Sequence, residues 1–176
     1  PAGNVLTIAG AAPPTAASGW IDDAAGLTAR FNFPVDIVIH KKATDTDPQL
    51  YVVDLGNHAV RQMDSGAGNA VTTVLGFNQP TPTFGFTDGL LAAAKLNSPQ
   101  GLALDPGSET VYVADGSNFA VRKFSLVAAP YLTTIAGSGS SALVDDVQGS
   151  SAQFKGVQLI AFHGTSLYVG DYGSAA

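Results

Sequence analysis

Aspartates recur at matched places along this 176-residue sequence and are its clearest candidates for chemistry. Adjacent pairs stand at Asp22–Asp23 and Asp145–Asp146, each opening a similar phrase. Carboxylates gathered on one face attract basic partners, and they are preferred ligands of hard cations such as Ca²⁺. The residues predicted to form such an acidic loop face are Asp22, Asp23, Asp88, Asp145, Asp146, Asp54, Asp115 and Asp171.

Two interpretations of these aspartates stay open at this point. Either the summed charge binds a basic partner or Ca²⁺, or each carboxylate only bonds the backbone of its own loop. No EF-hand spacing is present. We therefore predict no cofactor and no dedicated metal site, with Ca²⁺ at the Asp-rich loops as the one alternative.

Histidines suggest zinc chemistry, but their placement argues against it. His40 and His163 end equivalent segments, and Asp105 fills the same place in the segment between them. Such positions should lie too far apart to share an ion whose ligands sit at ~2.0–2.2 Å. There is no cysteine, no nucleophile elbow and no Gly-rich phosphate loop. The sequence thus favours a protein that is not an enzyme.

The charge balance bears on partners. Eight Lys and Arg against fourteen Asp and Glu give a net charge of −6, whereas nucleic-acid binders normally carry a basic footprint. No apolar run reaches the ~18 residues of a membrane span. We expect neither nucleic-acid binding nor a membrane-spanning segment.

The elements that position these side chains come from an internal repeat. The phrase "YVVDLGNHAVR" starts at Tyr51, "YVADGSNFAVR" starts at Tyr112, and a third copy, "YVGDYGSAA", starts at Tyr168. Each unit reads as four short β runs, here called a to d, which are rich in β-branched and aromatic residues and bounded by turn residues. Four antiparallel strands per unit, repeated radially, predict a β-propeller.

The phrases resemble the NHL repeat family. The similarity rests on "DDAAGLTARFNFPVDIVI" from Asp22, on "LYVVDLGNHAVRQMD" from Leu50 and on "VTTVLG" from Val71. The third copy departs from the pattern, with Val157 where the other copies carry proline. The resemblance implies a propeller of about six blades that serves mostly as a binding scaffold, with a minority of relatives being lyases or other enzymes.

Counting strands gives one d, two complete blades and a final a–b pair. We expect an all-β open arc of about half a six-bladed NHL-type ring. Residues 1–10 would close a preceding blade, 11–76 and 77–137 would form two blades, and 138–176 would form an incomplete third. The rest of the ring would come from missing chain, a second copy or another subunit.

Arg61 and Arg122 recur in run c. If a two-residue turn at Leu55–Gly56 joins runs b and c, Arg61 should oppose Leu50 at the far end of the hairpin and should not pair with Asp54. A link to a neighbouring blade or a phosphate contact would then explain the arginines.

Two functions from different classes follow. The first is a non-enzymatic module for protein–protein binding or assembly, whose partners are other chains or the remainder of the propeller. The second is a lyase-like or hydrolase-like enzyme with its site on the ring axis, where Asp36, Gln100 and Gln158 point inward. The Pro/Thr-rich insertions Ala11–Gly19 and Asn78–Gly85, together with the acidic pI, favour an extracellular or cell-surface setting.

Overall fold

The β runs of the repeat form the strands of three consecutive sheets in the computed structural model. The structure describes residues 6–10, 18–42, 44–66, 68–76, 83–127 and 130–173. Most of the two Pro/Thr-rich insertions and residues 1–5 of the expected closing strand lie outside these ranges. Residues 6–10 form no strand. Within the described residues, no helix has the length and apolar character needed to cross a bilayer.

Blade 1 is a four-stranded antiparallel sheet whose strands follow one another in chain order. Its strands are β1 (Pro34–His40), β2 (Gln49–Asp54), β3 (Ala59–Asp64) and β4 (Val71–Leu75). They correspond to runs a to d, with β1 innermost. The predicted blade architecture is confirmed here.

Blade 2 repeats this arrangement and adds a short outer strand. The added strand is β5 (Gly89–Leu90), and the four repeat strands are β6 (Pro99–Asp105), β7 (Thr110–Asp115), β8 (Ala120–Ser125) and β9 (Tyr131–Ala136). β5 pairs with the outer side of β9 and was not expected from the sequence.

Blade 3 is represented by a two-stranded sheet of β10 (Val157–His163) and β11 (Ser166–Asp171). β10 packs against β6 and β7, just as β6 packs against β1 and β2. The three sheets thus form an open, unclosed arc of wedges, as predicted.

Apolar side chains fill both junctions between blades. Between blades 1 and 2, Tyr51 and Val53 belong to one buried cluster with Leu102 and Val113. Between blades 2 and 3, the rings of Tyr112 and Phe162 stack with centroids 5.8 Å apart. Burial of this kind is the main stabilising contribution, at ~25 cal/mol per Å² of apolar surface.

The connection between runs b and c differs from the prediction. It is a three-residue 3₁₀ turn, Leu55–Asn57 in blade 1 and Gly116–Asn118 in blade 2, followed by a residue with positive φ. That residue is His58 (φ 53°) or Phe119 (φ 51°), and not the turn glycine. Asp54 consequently pairs with Ala59, and Arg61 opposes Val52.

Candidate functional site

One arginine in each of the first two blades is fully buried among oxygen acceptors. Arg61 Nη1 donates to Asp54 Oδ2 at 2.8 Å, and its Nη2 and Nε donate to Asp22 Oδ1 at 2.5 and 3.1 Å. We call Arg61 with Asp54 and Asp22 the arginine clamp of blade 1. Its guanidinium is completely excluded from solvent.

Blade 2 carries the same clamp with nearly the same distances. Arg122 Nη1 donates to Asp115 Oδ2 at 2.7 Å, and Nη2 donates to Asp88 Oδ1 at 2.5 Å. Lys95 O also accepts from Nη1, at 3.4 Å. The clamp is therefore a property of the repeat unit rather than of one blade.

The prediction that Arg61 would not pair with Asp54 is wrong, and so is the expected link to a neighbouring blade. The 3₁₀ turn with its left-handed residue replaces the assumed two-residue turn, which moves Arg61 from opposite Leu50 to opposite Val52. From there its side chain reaches Asp54 and the loop that precedes β1 of the same blade. Because the Arg61 side chain is fully buried and bonded within its own blade, it offers no surface contact to phosphate.

Two further residue types complete each clamp, and sequence reasoning missed both roles. Asn57 Nδ2 donates to Asp54 Oδ2 and to Gly19 O, and Asn118 does the same with Asp115 and Gly85. The backbone N–H of Thr73 donates to Asp22 Oδ2 at 2.9 Å. The recurring Asn and Thr-Thr in the repeat were the available signal.

Burial sets the electrostatics of the inner carboxylates. Desolvation raises the pKa of Asp115 to about 6, against the opposing effect of hydrogen bonds from Asn97, Asn118 and Arg122. Desolvation raises the pKa of Asp54 in the same way. At pH 7 most of the Asp115 carboxylate is therefore ionised beside the Arg122 guanidinium.

The acidic loop face is therefore smaller than predicted. Asp54 and Asp115 are fully buried and belong to the clamps, so they contribute nothing to a binding surface. Asp22 and Asp88 remain only partly exposed beside their arginines. Asp171, the counterpart of Asp54 in blade 3, accepts bonds from the backbone N–H groups of Lys155 and Gly156.

The remaining predicted aspartates lie in the loops that precede the first strands. Asp23 accepts from Thr28 N at 3.0 Å, and this bond is the main cause of its lowered pKa. Asp146 accepts from Gln148 N at 2.6 Å, and Asp145 follows a bridge between Val144 and Gln153. Both bonded residues fit the interpretation in which each aspartate stabilises its own loop. Among the described residues, no group of three or more His, Asp or Glu side chains could hold a metal ion.

The residues proposed for an axial site do surround one cavity. Asp36, Gln100 and Gln158 line a space of about 580 Å³ at the inner strands. Asp36 Oδ1 accepts from Ile37 N at 2.8 Å, and Oδ2 accepts from Leu102 N at 2.7 Å. The carboxylate thereby joins β1 to β6.

The two histidines considered for zinc, His40 and His163, lie apart in the structure. His40 Nε2 lies 3.1 Å from Glu109 Oε2, in a contact that joins the ends of blades 1 and 2 and also includes Lys42. His163 is exposed at the end of β10.

Comparisons with known proteins agree with this geometry. Residues 96–124 match the model of the NHL repeat. Over 104 residues the chain is 29% identical to NHL repeat-containing protein 2 of Homo sapiens and 32% identical to that of Gallus gallus, and these matches cover 59% of this chain. The chain spans only 13% of the length of either relative.

A solved structure shows the same fold over most of the chain. An auxiliary nutrient binding protein from Bacteroides ovatus superposes with a TM-score of 0.63 at 21% identity, covering 83% of this chain and 36% of that one. Together these findings show that residues 96–124 match an NHL repeat and that the blades have the four-stranded antiparallel topology of an NHL-type β-propeller.

Proposed function

We propose that this chain is a non-enzymatic binding and assembly module whose contacts are made by the two end faces of its arc. The leading face consists of Ile37 and Ile39 on β1. The trailing face consists of Leu159 on β10 and Tyr168 on β11. Both faces are apolar, and both are open to solvent.

The observation that carries this proposal is the contrast between equivalent positions. Ile37 is 49% exposed, whereas Leu102, its counterpart in blade 2, is 4% exposed because it packs against blade 1. Tyr168 is 59% exposed, whereas its counterpart Tyr112 stacks on Phe162 of the next blade. Each end face thus carries one side of the junction that joins neighbouring blades, without the blade that would cover it.

The best-fitting occupant is another blade of the same type. Burying one such side chain contributes ~1.5–3 kcal/mol, so each face offers a substantial driving force. Contiguous exposed apolar surface of this kind marks interaction sites. That the chain covers about a third of the Bacteroides ovatus structure supports a larger ring around this arc.

Charge adds a second feature to the module. Asp145 and Asp146 are exposed on a loop, and Asp23 is half-buried on another; these carboxylates would favour a partner with basic groups. An extracellular or cell-surface setting is part of the same proposal. Enzymatic use of the axial cavity finds no comparable support, since both oxygens of Asp36 are already engaged by backbone N–H groups.

Lysine at Ile37 should weaken self-association of the chain at least tenfold, because a charge would have to be buried in the contact. Sedimentation velocity over a range of protein concentrations measures this. Leu159→Lys should have the same effect from the other face. Because the contact joins a leading to a trailing face, mixing the two variants should restore a dimer but no larger species.

Val147→Lys is the matched control, since Val147 is fully exposed but lies on a loop away from both faces. A wild-type chain that stays monomeric at every concentration would contradict the proposal. An equal loss in Val147→Lys would also contradict it.

A further inference from the structure

A polar cavity on blade 1 borders the arginine clamp and lies apart from the end faces. Its volume is about 390 Å³, and Trp20, Asn32, Gly56 and His58 are among its lining residues. It lies where the loop before β1 meets the 3₁₀ turn after β2. Small-molecule sites typically occupy ~300–1,000 Å³.

The corresponding place in blade 2 is built differently. The two blades can be matched residue by residue, because Asn57 bonds Gly19 O just as Asn118 bonds Gly85 O. Three positions that carry phenylalanine in blade 2 carry side chains with hydrogen-bonding atoms in blade 1. They are Ser18, Trp20 and His58, against Phe84, Phe86 and Phe119.

Trp20 shows that packing alone does not account for this difference. Its ring lies 5.9 Å from the Arg61 guanidinium carbon, and Phe86 lies 4.8 Å from that of Arg122. In blade 2, Phe86 thus packs against the clamp arginine without contributing a polar atom. The indole Nε1 of Trp20 is buried and has no hydrogen-bond partner among the described residues, although a buried tryptophan N–H usually finds one.

His58 supplies a donor of fixed position. Its Nδ1 accepts from Ser98 N at 2.9 Å, so the ring proton must sit on Nε2. Burial lowers the pKa of His58, which keeps the ring neutral at pH 7. Within the described part of the chain, Nε2 has no hydrogen-bond partner.

Gly56 makes room for a third group. A Cβ at this position would lie 2.5 Å from Asn32 Nδ2, whereas blade 2 has Ser117 at the same place. The Asn32 amide can therefore occupy the cavity wall. Within the described residues, the Asn32 side chain makes no hydrogen bond.

We propose that this cavity binds a neutral sugar. Its polar groups are uncharged, and they combine amide and imidazole N–H donors with an aromatic wall, which suits hydroxyl groups. An anion is disfavoured by the net charge of −6 and by the neighbouring clamp with its two carboxylates. A cation is disfavoured because none of the described residues that line the cavity carries a carboxylate.

The site contains its own reporter, since Trp20 is the single tryptophan of the sequence. Tryptophan fluorescence is followed while D-glucose, D-galactose or N-acetyl-D-glucosamine is added into the tens of millimolar, beyond a Kd of ~1 mM. We expect a saturable change with at least one of these sugars. Glucuronate, the charged counterpart, should bind at least tenfold more weakly than glucose.

Two variants copy blade 2 into blade 1 and should remain folded. His58→Phe reproduces Phe119, which has nearly the same φ, and Gly56→Ser reproduces Ser117. Each should weaken sugar binding at least tenfold. The double variant Trp20→Phe with Phe86→Trp moves the reporter to blade 2, where no saturable signal is expected.

The proposal is overturned if none of the three sugars gives a saturable change. It is also overturned if His58→Phe and Gly56→Ser both bind as the wild type does. Tighter binding of a neutral blocked peptide than of any sugar would show that the ligand class is wrong.

Discussion

Arg122→Met is expected to lower the free energy of unfolding by about 3–5 kcal/mol, the usual cost of removing one partner from a buried ion pair. Methionine keeps most of the apolar contact with Phe86 but cannot neutralise Asp115, which is fully excluded from solvent. Urea unfolding followed by circular dichroism measures the change. Arg61→Met should give a loss of similar size, because its clamp has the same geometry.

Lys123→Met is the control for this experiment. Lys123 is the next residue in β8, is exposed and faces the other way, so its replacement should change stability by less than ~0.5 kcal/mol. A loss below ~1 kcal/mol in Arg122→Met would mean that the clamp is not a stabilising unit of the blade.

Gly137→Ala is the second large effect, with an expected loss of about 4 kcal/mol. Gly137 has φ +92°, and a Cβ there would lie 2.2 Å from the carbonyl oxygen of Phe119. Backbone strain of ~1–3 kcal/mol adds to overpacking of ~1–3 kcal/mol. The same unfolding measurement applies.

The repeat provides a matched control at Gly10. This residue has φ +97° and the same place in the repeat phrase, but a Cβ there meets none of the described residues within 4 Å. Gly10→Ala should therefore cost only the strain contribution. Equal losses at Gly10 and Gly137 would show that the close approach to Phe119 is not what requires glycine.

Much of the fold could be read from the sequence because the repeat supplied each strand two or three times. The Tyr-Val phrases at Tyr51 and Tyr112 fell on β2 and β7, and the Thr-Thr phrases fell on β4 and β9. Tertiary contacts were harder to infer. The outer strand β5 is two residues long and exists only because the loop folds back on β9.

The clamp was missed because of a single turn. A two-residue connection would have placed Arg61 far from Asp54, whereas the 3₁₀ turn and the left-handed His58 bring them within 2.8 Å. The left-handed residue of this turn is His58, and Gly56 instead leaves room for the Asn32 side chain. Side-chain crowding of this kind cannot be seen in turn composition.

The residues of the sugar cavity could have been picked out from differences between the repeat copies in the sequence. Comparing the copies position by position sets Trp20 against Phe86 and His58 against Phe119. In a repeat protein, similarities between copies indicate packing, and a departure toward hydrogen-bonding side chains indicates a local function.

The central claim is that these sheets are successive wedges of an arc whose ends do not meet. The sequence has no cysteine, so pairs of cysteines can be introduced and joined with a short bis-maleimide, and crosslinks within single chains can be identified by mass spectrometry. The pair Tyr112→Cys and Phe162→Cys, across the junction of blades 2 and 3, should be joined. The pair Ile39→Cys and Tyr168→Cys, on opposite ends of the arc, should not. Efficient joining of the second pair within one molecule, or failure of the first, would contradict the account.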